Sequence, residues 1–380
     1  MELELTSDQE FFAETTRKFL EDKTPVSELR AKRNDPAGFD RDFWVQGAEL
    51  GWTSLLVSEE DGGGSISGRP VADLALVGFE FGNHAAPGPL VPAAIVAGAL
   101  SRAGSDEQKG EALGALLSGA AIGTWAFSEP RPHDALGDVT LSAEVTGDTV
   151  RLSGVKAPVE SAGQAEYFFV TARTGDGLTQ VLVPASTPGV AVKPMHSIDL
   201  TRRFGRLTFD GVELPASAVV GEVGRAGADV DWQTQVAVAV ELSEMVGAMD
   251  RAFKMTLEWA FDRYSFGRPL ASYQELKHRF ADMKLWLEAS HAIADGATDA
   301  VGEARPEAWD LLSAGKAYVG HYGVELMHDC VQMHGGIGVT FEHDMHLYLR
   351  RVVLGSRLYG SVAEHRGRLT SSLEQKEDAA

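Results

Sequence analysis

A chain of 380 residues, 44% hydrophobic and 23% charged, is long enough for a sizeable core and for two or three structural layers. Its formal charge of −21 argues against nucleic acid and against an anionic membrane surface as partners, so an anionic substrate must be met by local Lys and Arg. The single cysteine, Cys330, excludes an intrachain disulfide framework and a Cys-based zinc site. Met1-Glu2-Leu3-Glu4 is acidic rather than basic and then apolar, so no signal peptide is expected. No apolar run reaches the ~18 residues of a membrane span, and a soluble cytoplasmic protein is the expectation.

Residues 1–120 read as helices. Thr6-Ser7-Asp8 with Glu10 is a capping signal ahead of Phe11, Phe12, Thr15 and Phe19. Phe43 to Leu50 is a further helix ended by Gly51, and Val71–Phe81 and Leu90–Leu100 are strongly apolar core helices. Gly62-Gly63-Gly64 reads as a plain turn, because no P-loop Lys or Ser/Thr follows it. From about Ala121 the pattern changes to short β-rich runs separated by Gly and Asp turns, as at Thr146-Gly147-Asp148 and Asp176-Gly177. They are Ile122–Phe127, Ser142–Val145, Thr149–Gly154, Tyr167–Ala172, Gln180–Pro184, Val190–Pro194 and Arg206–Phe209. A small antiparallel β domain over 121–230 is predicted, then a helical domain over 231–380 with a frayed acidic tail at Glu374–Ala380. Helices, then strands, then helices make an α+β chain and argue against a dinucleotide-binding βαβ fold. Gly221, Gly224 and Gly227 lack the βαβ context of such a fingerprint.

In the last third, two helical patterns flank one break. Val238, Leu242, Met245, Met249, Phe253 and Leu257 recur at helical spacing upstream, and Leu276, Phe280, Met283, Leu285 and Leu287 continue downstream. Gly267 and Pro269 break the helix, with Arg263, Ser265, Arg268 and Gln274 around the break. Arg, a hydroxyl and free backbone N–H groups at a helix junction suit a phosphate, and a loop of solvated arginines is the other reading. Further on, Gln332–Thr340 reads QMHGGIGVT, where Gly335-Gly336 allows close backbone approach.

RxxFG, then a Gln, then Q-x-x-GG-x-G, in this order and helical context, resembles the acyl-CoA dehydrogenase family over nearly the whole chain. ELGW, EEDGGG and HAAPGPL near the N-terminus resemble the same family. The resemblance implies an N-terminal helical domain, a middle antiparallel β domain and a C-terminal four-helix-bundle domain. It implies an FAD cofactor, an acyl-CoA substrate, a flavoprotein electron acceptor and a homo- or heterotetramer. Arg263, Ser265, Phe266, Gln274, Gln332, Gly335 and Gly336 are then expected to hold the pyrophosphate and adenosine end of an FAD that belongs mainly to a neighbouring subunit. Phe127-Ser128-Glu129-Pro130 is similar to the segment beside the flavin ring, and Tyr167 stands where an aromatic often covers it. The usual continuation after Pro130 is replaced by Arg131-Pro132-His133-Asp134.

The family's chemistry needs a desolvated carboxylate against Cα of the thioester. Neither usual position carries one: Tyr359 falls at the first and Ala237 at the second. A phenol with a pKa near ~10 is a poor base at neutral pH. Glu241 and Glu244 lie about 6 and 10 Å beyond Ala237 along the same helix face, in the apolar run AVAVELSEMVGAM. Each is a candidate base, and each has a structural alternative as a Glu bonded to a backbone group or an Arg. Three classes follow: an FAD-dependent acyl-CoA dehydrogenase acting on a bulky or steroid-derived acyl group; a base-lacking partner in an α2β2 enzyme, similar to the heteromeric steroid side-chain dehydrogenases; and a flavin-dependent monooxygenase on the same fold. Arg202-Arg203 could meet CoA phosphates or form a solvated turn. His343, Asp344 and His346 are not at helical ligand spacing, so no metal is assigned.

Overall fold

The computed structural model describes residues 5–130, 138–175 and 177–378. Arg131-Pro132-His133-Asp134, Asp176 and the last two residues of the tail lie outside them. The helices of the N-terminal third are α1 (Ser7–Lys23), α2 (Val26–Leu29), α3 (Arg41–Glu49), α4 (Pro70–Asn83), α5 (Leu90–Ala103), α6 (Asp106–Gln108) and α7 (Gly114–Leu117). Strands follow: β1 (Gly123–Ala126), β2 (Ser142–Thr146), β3 (Thr149–Glu160), β4 (Tyr167–Thr174), β5 (Gly177–Pro184), β6 (Val190–Met195), β7 (Phe204–Pro215) and β8 (Val219–Val220). The chain ends with α8 (Gly227–Asp262), a hairpin of β9 (Tyr264–Ser265) and β10 (Arg268–Pro269), and the helices α9 (Gln274–Gly302), α10 (Ala308–His334), α11 (Met345–Gly355) and α12 (Val362–Asp378). All seven predicted strands form. The capping box at α1 is Thr6 with Gln9 rather than with Glu10, because Gln9 occupies the third helical position. The acidic tail is helical as far as Asp378 instead of frayed. No described helix is long and apolar enough to cross a membrane.

These elements form two compact units that interleave along the chain. One comprises the described parts of Met1–Arg30, Ala75–Ala86 and Val238–Ala380; the other is Ala31–Leu74 with Pro87–Ala237. In the second unit the sheet runs β6-β7-β3-β2-β4-β5-β8, with β1 added beside β4. Most pairs are antiparallel, but β1–β4 and β2–β4 are parallel. Alternating apolar residues of the strands, among them Val150, Leu152, Phe168, Val170, Val181, Val183, Leu207 and Phe209, make its core. The apolar helix α5 lies on β1, where Gly123 leaves no room for a side chain under Val96.

The first unit is a helical bundle around α8. Val238 to Met249 are almost completely buried, which is why this stretch is apolar apart from Glu241, Ser243 and Glu244. Helices α4 and α8 meet backbone to backbone. A Cβ on Gly82 would lie 1.8 Å from the Glu244 carbonyl oxygen, and one on Gly247 would lie 2.0 Å from that of Phe79. Gly315 and Gly323 let α10 close on Leu242 and Met249 in the same way.

Candidate functional site

Two groups of predicted site residues take shape, one in each unit. In the helical unit, α8 ends at Asp262 and the RYSFGRP stretch folds into the β9–β10 hairpin, with Ser265 opposite Arg268. Phe266 and Gly267 form its turn at φ +48° and +82°, and Phe266 is 99% exposed. The hairpin is held from behind: the Tyr273 hydroxyl donates to the Ser265 carbonyl at 2.6 Å, and Leu270 N donates to Arg263 O at 2.8 Å. Gln274 opens α9. At the end of α10, Gln332 is exposed, Gly335 takes φ +64° and ψ −139°, and a Cβ added at Gly335 or Gly336 would meet nothing within 4 Å. The two motifs are brought together by Trp259, one turn before Arg263, stacking on His334 at 5.4 Å between ring centroids. An exposed guanidinium, two exposed amides and a glycine corner open to solvent make a donor set that fits the diphosphate of a dinucleotide.

In the sheet unit, Phe127 and Ser128 leave β1 on a backbone fixed by a buried cation. Lys156, fully buried on β3, donates from Nζ to the Phe127 carbonyl at 2.9 Å and pairs with Glu129 Oε1 at 2.8 Å. Glu129 also accepts from the backbone N–H groups of Thr140 and Leu141. Burial alone raises the pKa of this carboxyl, but the Lys156 charge and the hydrogen bonds outweigh it and hold the pKa at about 2. Ser128 O accepts from Ala157 N, which ties the two segments edge to edge. Glu129, Pro130, Pro158, Lys193, Met195 and Arg206 line a cavity of about 400 Å³. Tyr167 is half-buried on β4 and is not part of that cavity's wall; Pro158 is.

The two candidate carboxylates both point into the helical bundle. Glu244 forms a buried ion pair with Arg351 of α11, Nη1 to Oε1 at 2.5 Å, and Arg351 Nη2 also donates to the Ala86 carbonyl. Glu241 is fully buried, and a Cβ on Gly355 would lie 2.6 Å from its Oε1. The turn beyond Gly355 is fixed from two helices. Buried Lys316 of α10 donates to the carbonyls of Gly355 and Leu358 at 2.5 and 2.8 Å. His365 of α12, whose pKa is pushed down to about 4 by burial and then by the Lys316 charge, lies with Nε2 3.0 Å from the Tyr359 carbonyl. Ala237 is fully buried and Tyr359 sits at φ +55°, so neither usual position offers a carboxylate.

Lys156 and Lys316 are residues that motif reading passed over, each a lone cation in an apolar stretch, and a cation that folds inside must carry a partner with it; the partner of Arg351, beside Arg350, was not legible either. Arg202 and Arg203 correct an expectation: neither is a solvated turn residue. Arg202 makes a buried pair with Glu160 at 2.6 Å, and Arg203 donates to the carbonyls of Lys32, Asp35 and Leu200. Asp344 is drawn into a pair with Arg30.

Sequence models of the acyl-CoA dehydrogenase N-terminal and C-terminal domains match residues 6–120 and 238–373. Acyl-CoA dehydrogenase FadE27 of Mycobacterium tuberculosis is 30% identical over 321 residues, covering 82% of each chain. Acyl-CoA dehydrogenase IpdE2 of Mycolicibacterium smegmatis is 27% identical over 97% of this chain and 100% of its own. Among solved structures, a Tcur3481–Tcur3483 steroid acyl-CoA dehydrogenase variant superposes with a TM-score of 0.87 at 26% identity, covering 98% of this chain and 99% of that one. The ChsE4–ChsE5 complex from Mycobacterium tuberculosis gives 0.87 at 25% with the same coverage. The chain belongs to the acyl-CoA dehydrogenase family. It is an FAD-dependent oxidoreductase acting on acyl-CoA, similar to the actinobacterial steroid type.

Proposed function

We propose that this chain works as one subunit of a multimeric dehydrogenase that desaturates a bulky, steroid-like acyl-CoA between Cα and Cβ, and that Glu241 rather than Glu244 is its own candidate base. The observation that carries the choice is the Glu244–Arg351 pair. A carboxylate whose charge is already matched at 2.5 Å inside the bundle gains little by taking a proton. Glu241 lies one turn beyond Ala237 on the same face of α8, with its Oε1 beside Gly355. FAD, when bound, supplies the acceptor for the β-hydrogen with its electron pair. Arg263, Gln274, Gln332 and the Gly335-Gly336 corner would hold the diphosphate of an FAD that belongs mainly to a neighbouring subunit. Ser265 and Phe266 frame the hairpin, and Phe127 and Ser128 lie in the segment that would flank the ring. Lys156 keeps that segment in one conformation. Glu241 would form an O–H bond as the α C–H bond breaks.

A second reading is favoured by the depth of both carboxylates, each at most 3% exposed. Here an unlike acyl-CoA dehydrogenase subunit supplies the base, and this chain completes that subunit's flavin site. The Tcur3481–Tcur3483 and ChsE4–ChsE5 relatives, each named as a pair, support it. A flavoprotein electron acceptor is the proposed oxidant under either reading. The experiment is purification of the chain alone, with its flavin-to-chain ratio and its anaerobic bleaching by acyl-CoA. A ratio near one, bleaching by substrate, and loss of bleaching in Glu241→Gln support the first reading. A flavin-poor chain that turns over only with a co-expressed unlike subunit sinks it and establishes the second.

A further inference from the structure

A cavity of about 400 Å³, separate from the one on the sheet, lies wholly within the helical unit, between α1, α4, α8 and α11. None of its lining residues belongs to the hairpin, to the glycine corner or to the pair of α8 carboxylates weighed as bases. Two polar groups on its wall are buried and unmatched. Glu80 of α4 is 6% exposed, and its Oε2 has no hydrogen-bond partner. His84, one turn on, lies 3.6 Å from that oxygen but gives its Nδ1 proton to the Glu80 backbone carbonyl at 2.9 Å. Tyr348 of α11 is fully buried, and its hydroxyl, beside Arg251, makes no hydrogen bond. Buried polar atoms left unmet on one cavity are costly unless a ligand meets them.

The charges on the same wall favour an anion. Arg251 and Lys254, three residues apart on one face of α8, line the cavity and make no ion pair with a described carboxylate, in a chain with 55 acidic and 34 basic residues. The acidic groups beside them are engaged: Asp250 accepts from Asn83 and faces His291, and Glu21 faces His84. Pro25, Val26 and Phe79 add an apolar wall. Burial lifts the Glu80 pKa to about 7, so on the acid side of neutrality this carboxyl has a proton to donate. Two unmatched cations with two neutral O–H donors suit an anion presenting two oxygens, and the apolar wall suits a carbon body.

We infer that this cavity is a binding site for a small apolar carboxylate, seated on Arg251, Lys254, Tyr348 and Glu80. The inference does not depend on which carboxylate is the base or on what acyl group the enzyme takes. The probe is cyclohexanecarboxylate, titrated by calorimetry into the flavin-loaded enzyme with any unlike subunit it requires. The expected Kd near pH 6 is about 1 mM or below, weakened about tenfold in Arg251→Gln and in Lys254→Gln/Tyr348→Phe. Cyclohexanecarboxamide and inorganic phosphate are expected to bind about tenfold more weakly than the carboxylate, or worse. Raising the pH through about 7 weakens wild-type binding as Glu80 ionises against the anion. Glu80 is faced by Arg17 and Glu21 of α1, by His84 on its own helix and by Asp250 of α8, with Arg251 and Tyr348 on the same cavity. Glu80→Gln leaves all of these in place, so the pH dependence should vanish in it while binding above pH 7 is kept. No binding at about 10 mM, equal binding of the amide, or equal affinity in the variants overturns the proposal, and the last result puts the carboxylate elsewhere on the enzyme. Phosphate that binds as tightly as the carboxylate and is lost in the same variants also overturns it, by making the cavity a general anion site. Lys254 is exposed and the Tyr348 hydroxyl has no hydrogen bond to lose, so the double variant carries the test if Arg251→Gln fails to fold.

Discussion

Replacing Glu244 by Gln tests whether this carboxylate is structural or catalytic, because the two roles predict opposite signatures. Gln keeps the shape and removes only the charge. Arg351, 1% exposed, then loses its carboxylate partner inside the bundle and keeps its bond to the Ala86 carbonyl. Breaking one side of a buried ion pair costs about 3–5 kcal/mol. With an unfolding entropy of about 2.1 cal/mol/K per residue, 380 residues give about 0.8 kcal/mol/K, so a loss of about 4 kcal/mol lowers Tm by about 5 °C. Thermal melts followed by circular dichroism read this directly. Arg351→Met alone is expected to cost a similar amount. The double variant Glu244→Gln/Arg351→Met should be less damaged than the two single losses added together, because each single variant strands a charge that the double removes. Turnover per bound flavin in Glu244→Gln should stay within a few fold. An unchanged Tm with turnover down by about 10²–10⁴ would refute the reasoning and make Glu244 the base.

Three further outcomes are expected. Glu80, buried on α4, has its pKa raised from 4.5 to about 7, chiefly by burial. Its folded value lies above its unfolded one, so its contribution is fully favourable below pH 4.5 and is lost as pH rises through about 7. A difference of about 2.5 at about 1.4 kcal/mol per unit makes Glu80→Gln more stable than wild type by about 3 kcal/mol at pH 8 and equal to it near pH 4. Melts at both pH values check this, and a gap independent of pH contradicts it. Lys156→Met should cost about 3–5 kcal/mol at pH 7 by stranding Glu129. Because the Glu129 pKa is held low, its stabilisation is present above pH 4.5 and fades as pH falls toward about 2, so the gap between Lys156→Met and wild type should close there in acid-unfolding curves. Arg263→Ala should weaken FAD binding about tenfold or more without lowering the melting temperature of the flavin-free chain, since its side chain is exposed. Flavin retention on gel filtration measures it.

What the sequence discloses here follows from how far apart the partners lie. Strands could be read because period-two alternation and Gly or Asp turns are written within ten residues of each other. The hairpin and the glycine corner could be read because each motif carries its own backbone requirement: φ +82° at Gly267 and φ +64° at Gly335. The helical bundle could be read from α8, whose apolar residues recur at helical spacing from Val238 to Leu257. The way Ala75–Ala86 joins residues beyond Val238 could not, because it depends on which helix meets Gly82 and Gly247 from outside.

The charges inside the fold mark the same limit more sharply, and they decide the function. Glu244 and Arg351 are 107 residues apart, Glu160 and Arg202 are 42 apart, and Glu129 and Lys156 are 27 apart. A sequence shows each of these charges without its partner, and that appearance is shared by a catalytic carboxylate and by half of a buried ion pair. Only the position of the partner separates them. Glu244 leaves the list of bases because Arg351 lies against it. Arg202 leaves the list of phosphate ligands because Glu160 does. Arg263 on the hairpin stays exposed, and Glu241 remains a candidate on the face of α8 that packs against Gly355. A search for the active residues of this chain therefore proceeds best by subtracting the pairs the core needs, because burial makes an unmatched charge too costly to keep without a use.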